Sequence, residues 1–209
     1  MNAHSQRAAE IGEHLLQLDE AGLDLLFREA RSHNGWLPRQ LEPAQLRDLW
    51  ELVRYAPTAV NGMPMRVVFV ISTEGKHRLK PALRPGNLEK VMAAPVTAII
   101  GYDLGFWEQL PRLFPHANVR AVFSEDPEGC ALTAFRNSTL QGAWLMLAAR
   151  AMGLDCGPMS GFDADMLDRE FFAGSSIRSN FICNLGYGDR SRLFPRLPRL
   201  SFEDACTFA

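Results

Sequence analysis

What the 209-residue chain lacks narrows it first. Its four cysteines, Cys130, Cys156, Cys183 and Cys206, form no CxxC pair, and no His or Cys stands at zinc-finger spacing. Neither a disulfide scaffold nor a structural zinc site is therefore expected, and the metal assignment is none. Reduced thiols in or near the core are expected instead, with Cys156 set apart by the glycines beside it. Charge of one sign is also missing: 22 lysines and arginines face 24 acids, a formal net charge of -2 with both signs interspersed. That gives neither a nucleic-acid footprint nor an acidic tail. The N-terminal MNAHSQRAAEIGEHLLQLDEAG has no uninterrupted apolar stretch and carries several acids, unlike a signal or transit peptide, so a cytoplasmic protein is expected. No GxGxxG follows a strand, and no Ser/His/Asp set is visible, which argues against a Rossmann dehydrogenase and a hydrolase. No repeat, low-complexity run or linker divides the chain, and 47% of it is hydrophobic, enough for one core in a single domain over residues 1–209.

What is present is organised around Ala131 to Phe162, ALTAFRNSTLQGAWLMLAARAMGLDCGPMSGF. From Leu132 to Met152 strong helix formers carry apolar side chains on nearly every face, as in a helix surrounded by protein. Its length of about 30 Å would also cross a bilayer. Arg136, Asn137, Gln141 and Arg150 make insertion costly, so a buried soluble helix is read and no membrane contact. Gly153 stops it, and Gly157, Pro158 and Gly161 predict a loop that brings backbone close to another group.

Around that segment the chain reads as follows. Leu15 to Arg31 is an amphipathic helix, residues 1–14 a flexible lead, and RSHNGW a turn centred on Asn34-Gly35. Pro43 to Tyr55 is a second helix with Pro at its first turn. Ala56 to Pro64, APTAVNGMP, is a loop that presents backbone and short polar groups ahead of a buried strand, MRVVFVIS. Glu74 to Met92 gives one or two helices broken near Pro85-Gly86, and Val96 to Tyr102 a second strand. Gly105 to Asp126 is aromatic and cationic without a clean period, either a lid over a pocket or a packed connector. Asp163 to Phe172 is a short helix and Ser179 to Leu185 a third strand, ending in Gly186-Tyr187-Gly188. Residues 189–209 form a proline-rich tail whose apolar groups need a surface, with a capped start at Ser201-Phe202-Glu203-Asp204.

RSHNGW, APTAVNGMP with its strand, GLDCGPMSGF after a long apolar helix, NLGYGD and a late arginine resemble, in order and spacing, the nitroreductase-like flavoproteins from about Leu26 onward. Through RSHNGW, AFRNST, GPMSGF and RLPRLSFEDAC the chain looks most similar to the malonic semialdehyde reductase branch of pyrimidine degradation. The resemblance implies an α+β fold with an antiparallel sheet flanked by helices, an intertwined homodimer with FMN at the subunit interface, and a tail crossing to the partner. One side of the long helix, Leu145 included, would then face that partner.

The resemblance also assigns cofactor residues. Arg31, Ser32 and Arg199 match the phosphate-binding positions, where guanidinium groups meet a dianion, and His33 stands beside them. The family usually carries another arginine where this chain has Asn34, and often glutamine where it has Met63. Asn61 falls on the asparagine that hydrogen-bonds the flavin, in a loop shaped by Pro57, Thr58 and Ala59. Pro158, Met159, Ser160 and Gly161 match the segment lying along the isoalloxazine, where a backbone N–H can donate to it. Gly186 and Gly188 are either on the ribityl-phosphate side or a simple strand-ending turn.

The implied activity is transfer of hydride from NADPH or NADH to the flavin and on to a small acceptor. Malonic semialdehyde, giving 3-hydroxypropionate, is the acceptor of the nearest branch. A quinone or nitro compound is the alternative, and a flavin-binding module without turnover the third reading. No catalytic residue is certain: Arg120 and Arg136 are candidates for holding a carboxylate, and His116 for donating to a developing alkoxide.

Overall fold

The computed structural model describes residues 17–209, together with Gln6 and Gly12. The expected lead over residues 1–14 otherwise lies outside the described residues, as does the start of the helix expected from Leu15. What is described of that helix is an α turn, Glu20–Leu23, capped by the Asp19 carboxylate accepting from the Gly22 N–H at 2.7 Å. It runs on as a π turn, Asp24–Arg28, and leaves helical geometry at Glu29, before Arg31 is reached.

The longer helices are numbered α1 (Pro43–Val53), α2 (Thr73–Leu79), α3 (Pro85–Ala93), α4 (Pro127–Ala151) and α5 (Ala164–Phe171). The strands are β1 (Met65–Val70), β2 (Val96–Asp103), β3 (Asp155–Met159) and β4 (Ile177–Gly186). They pair antiparallel throughout in the order β1-β2-β4-β3. Helices cover both faces. Leu46, Leu49 and Val53 of α1 and Leu145 and Ala149 of α4 meet Met65, Ala98, Ile100, Cys183 and Leu185 on one face. On the other, Leu79, Val91 and Leu167 of α2, α3 and α5 meet Val70, Ile99 and Ile182. Burial on both faces is why β2 reads as an unbroken apolar run rather than an alternating one.

Four sequence expectations change. First, the stretch expected as a glycine loop contains strand β3, paired with β4 from Asp155↔Gly186 to Met159↔Ile182. Proline is tolerated because β3 ends the row of strands, where the N–H it lacks need not serve a central ladder. Second, α4 begins at Pro127, five residues before Leu132, because Asp126 caps it by accepting from the Gly129 N–H at 3.0 Å and proline suits the first turn. Third, the break within residues 74–92 falls at Lys80–Arg84, and Pro85 starts α3 instead of interrupting it. Fourth, Leu145 is 1% exposed in the chain's own core, while Leu132, Phe135, Leu140 and Trp144 are the exposed apolar residues of α4.

The tail stays tied to the body at Asp189 and Arg192, which reach the Gly35 carbonyl and Glu89, before it runs outward. Phe194, Leu197, Leu200 and Phe208 are all more than two-thirds exposed, an apolar surface that this chain does not cover. The capping box expected at Ser201 forms, with Asp204 as its second member, and starts the single turn Phe202–Ala205. No helix among the described residues is long and apolar enough to cross a membrane.

Candidate functional site

Two distant pieces of sequence and the end of α4 enclose a basic hollow of about 880 Å³. Phe27 to Asn34 forms one wall, Phe194 to Arg199 another, and Arg150 closes it from the last turn of α4. Two of its five arginines are neutralised locally, Arg28 by Glu20 and Asp24, and Arg196 by Glu29 at 3.5 Å. The other three reach only carbonyl oxygens: Arg31 donates to Phe194, Arg150 to Leu26 at 3.3 Å, and Arg199 to Leu197 and Pro198. Among the described residues none of these three pairs with a carboxylate, and the hollow is lined by more cations than anions. Arg31, Ser32 and Arg199, read from the sequence as a set, are therefore brought together. Arg150 joins them unforeseen; its signal was a cation in the last turn of a long helix, where it also complements the helix dipole.

His33 turns away from this hollow. It is 4% exposed, with its Nε2 3.2 Å from the Asp155 carboxylate, and its backbone N–H donates to Cys156 at 2.9 Å. The second Asp155 oxygen accepts from the Gly188 N–H at 2.8 Å. Burial pushes the Asp155 carboxyl up, and the hydrogen bonds from His33 and Gly188 outweigh it and bring it below its ordinary value. Any side chain at Gly188 would overlap the His33 ring, and one at Gly186 would meet Pro95 and Trp36. Close packing of the chain on itself accounts for these glycines, as the strand-ending-turn alternative expects, and the His33 side chain is directed to Asp155. Gly157 serves the same end: a Cβ there would lie 2.6 Å from the His33 carbonyl, where the segment runs along β3.

Pro57, Thr58, Ala59 and Asn61 lie in the turn between α1 and β1. Val60, Asn61 and Met63 all have positive φ, at 48°, 51° and 44°, a conformation that costs free energy in non-glycine residues, most of all a β-branched one. The Asn61 amide donates to the Leu113 carbonyl at 2.9 Å, tying the turn to the segment between β2 and α4. Two buried amides of α4, Asn137 and Gln141, hold the turn from below. Sequence reading treated both only as polar interruptions of an apolar helix.

Pro158, Met159 and Ser160 line an open hollow of about 350 Å³ with Thr139, Ala143, Met146 and Phe181. Gly161 is anchored beside it, its carbonyl accepting from the Arg84 N–H at 3.1 Å and the Asn87 amide at 2.9 Å. In the segment between β2 and α4 the Arg120 guanidinium lies 4.9 Å from the Trp107 ring, and it lines a further hollow with Phe114 and Asn118. His116 meets Phe114 edge-on at 5.6 Å, and Arg136 is exposed on α4. These three catalytic candidates are not gathered around one cavity.

The assigned cofactor residues thus fall in three places on one chain: the arginine hollow, the strained turn, and the end of β3. Comparison with known proteins identifies the family. The nitroreductase family profile matches residues 27–187. A Cupriavidus pinatubonensis protein with the provisional name NADH dehydrogenase/NAD(P)H nitroreductase is 58% identical over 190 residues, 90% of this chain and 97% of its own. Among solved structures, a Bacillus subtilis nitroreductase superposes with TM-score 0.83 at 22% identity, covering 91% of this chain and all of that one. An Exiguobacterium sibiricum nitroreductase crystallised with FMN gives TM-score 0.80 at 20% identity, covering 93% of this chain and all of that one. The matched span takes in the strained turn, the whole sheet and α4, and on that ground the chain belongs to the nitroreductase family.

Proposed function

We propose that the chain is an FMN-dependent NAD(P)H oxidoreductase acting as a homodimer. The observation that carries this is the set of Arg31, Arg150 and Arg199, facing one hollow without a carboxylate partner among the described residues. Such a cluster fits a phosphate dianion, which charge-assisted guanidinium hydrogen bonds would hold. Ser32 would add a hydroxyl. Asn61 and the backbone of Pro158 to Gly161 would orient the ring system. When bound, FMN supplies the hydride carrier between the nicotinamide and an acceptor.

The homodimer is supported by the layout. The arginines and the Pro158 to Ser160 segment line different hollows of one chain, and the turn lines neither, an arrangement in which a second copy would bring the turn of one protomer to the arginines of another. An exposed tail, the apolar face of α4 and the outermost strand β1 provide surfaces for that copy. Relatives named for both NADH and NAD(P)H activities support a nicotinamide donor.

Purified protein tests the reading. A yellow sample bleached anaerobically by NADPH or NADH and reoxidised by an acceptor supports it. Colour without bleaching favours a binding module, and a colourless protein that FMN cannot reconstitute overturns it.

The finer reading, reduction of malonic semialdehyde to 3-hydroxypropionate, is supported by the RSHNGW, AFRNST and GPMSGF strings and by Arg120 lining a lid hollow. A broad nitro or quinone reductase needs only the lid aromatics. Steady-state rates with the semialdehyde, a quinone and a nitroaromatic, each with both nicotinamides, separate the two.

A further inference from the structure

Asn137 and Gln141 stand four residues apart on α4 and so share one face of it. They are 5% and 0% exposed, in a position where apolar side chains would cost nothing in desolvation. Each spends its carbonyl oxygen outside its own helix. Asn137 Oδ1 accepts from the Ala59 N–H at 2.8 Å, while its Nδ2 is oriented by donating to the Thr133 carbonyl, also at 2.8 Å. Gln141 Oε1 accepts from the Met65 N–H at 3.0 Å. Among the described residues the Gln141 Nε2 has no partner, so the bond to Met65 is what distinguishes glutamine from a leucine of similar size there.

Between the two anchored N–H groups lie Val60, Asn61 and Met63, the residues of positive φ. A turn with three such residues persists only where its surroundings over-determine it. Inside the turn, the Asn61 and Gly62 N–H groups donate to Thr58 and Ala59 carbonyls, and the Met63 N–H to the Thr58 hydroxyl at 3.2 Å. Those bonds shape the turn, whereas the two amides fix it to the body of the protein at its ends.

We propose that Asn137 and Gln141 are positioning residues, a pair of buried amides that clamp the turn between Ala59 and Met65 in its left-handed form and so preset Asn61 for the flavin. The proposal rests on the FMN reading, and its test separates the two. Hydrogen exchange of the FMN-free protein reports the clamp, and FMN affinity reports its use.

Asn137→Leu should speed amide exchange over residues 59–65 about tenfold or more while the β2–β4 core keeps its protection. It should raise the FMN dissociation constant about tenfold. Adding Val60→Gly, which adopts positive φ without strain, should return most of that affinity, because the turn then needs less holding. A core amide with no positioning role would show no such rescue by a glycine in a different segment. Gln141→Met gives the same readouts from the other end of the turn and stands in if Asn137→Leu does not fold. Exchange unchanged at 59–65, exchange rising evenly over the whole chain, or an FMN loss that Val60→Gly leaves untouched overturns the clamp. A wild-type protein that binds no FMN overturns the cofactor reading alone, since the exchange result stands without it.

Discussion

The His33 imidazole meets the Asp155 carboxylate at 3.2 Å beneath Gly188, whose lack of a side chain makes room for the ring. The pair fastens the segment bearing Arg31 and Ser32 to the start of β3. Asp155→Asn should lower stability by about 1 kcal/mol at pH 7, a modest figure because the carboxylate is partly exposed and solvent screens it. The sign of the pH dependence follows from a carboxyl held below its ordinary value. Its stabilisation is present above the unfolded value and is lost as pH falls through the folded one. Denaturant unfolding of wild type and variant should therefore differ at pH 7 and converge in strong acid.

Lys76 is a buried ionisable group whose stability contribution also rises with pH, over a higher window. Its Nζ donates to the Val91 carbonyl at 2.8 Å and to the Thr97 hydroxyl, which in turn donates to Asn184, tying α2 and α3 to the central strands. Burial brings the amine down from 10.5 to about 7. Below pH 7 it is charged in both states and the fold bears the desolvation cost; above 10.5 it is neutral in both. In between the unfolded chain binds more protons, so stability should rise with pH, by at most about 1.4 kcal/mol per unit from this group. Lys76→Met should flatten that slope between neutral and alkaline pH, and parallel curves for the two proteins would contradict the account.

Removing Arg150 tests the basic hollow. Charge-assisted hydrogen bonds contribute about 1.5–3 kcal/mol, so Arg150→Met should weaken FMN binding by roughly ten- to a hundredfold. Riboflavin, which has no phosphate, should bind the variant and the wild type alike. Equal losses for both flavins, measured by fluorescence quenching, would show that Arg150 acts on packing and not on the phosphate.

Leu140 and Trp144 stand on the exposed side of α4, and Leu145 is in the core behind them. Trp144→Asp should therefore leave a folded chain that sediments as a monomer and loses FMN. Leu145→Asp should instead cost several kcal/mol by burying a charge, and unfold the protein outright. A folded Trp144→Asp monomer that retains FMN would contradict the shared-site arrangement.

The contrast between Leu145 and Trp144 shows where sequence stops informing. Apolar residues on every face of α4 announce a covered helix, but periodicity does not tell which covering is the chain itself. Strands β1 and β2 were legible because β-branched runs between breakers have one reading. Strand β3 was not, because Gly157 and Pro158 serve an edge position and a close approach to His33 that only the fold creates. Arg31, Ser32 and Arg199 were grouped through short strings in a fixed order, and the fold brings them to one hollow. Arg150 and Asn137 were hidden inside a helical pattern, since their partners at Leu26 and Ala59 are far away in sequence. Positive φ at Val60 has no sequence signal at all, for valine is among the residues least suited to it.

The acceptor is the last point to be tested, and Arg120 and Arg136 decide it. A carboxylate-bearing acceptor such as malonic semialdehyde gains from a guanidinium that an uncharged nitroaromatic does not use. Arg120 is held over Trp107 in the lid, and Arg136 is an exposed residue of α4 that a second protomer could bring to the site. Replacing each by glutamine separately and comparing kcat/KM for the two acceptors isolates the charge, because the loss of transition-state stabilisation is read against the same enzyme and donor. The semialdehyde reading expects one variant to lose about tenfold or more on the semialdehyde, with the nitroaromatic little changed, as for one charged hydrogen bond. Equal losses on both acceptors would give that arginine a structural role, and no loss for either variant would favour the broad nitro or quinone reductase.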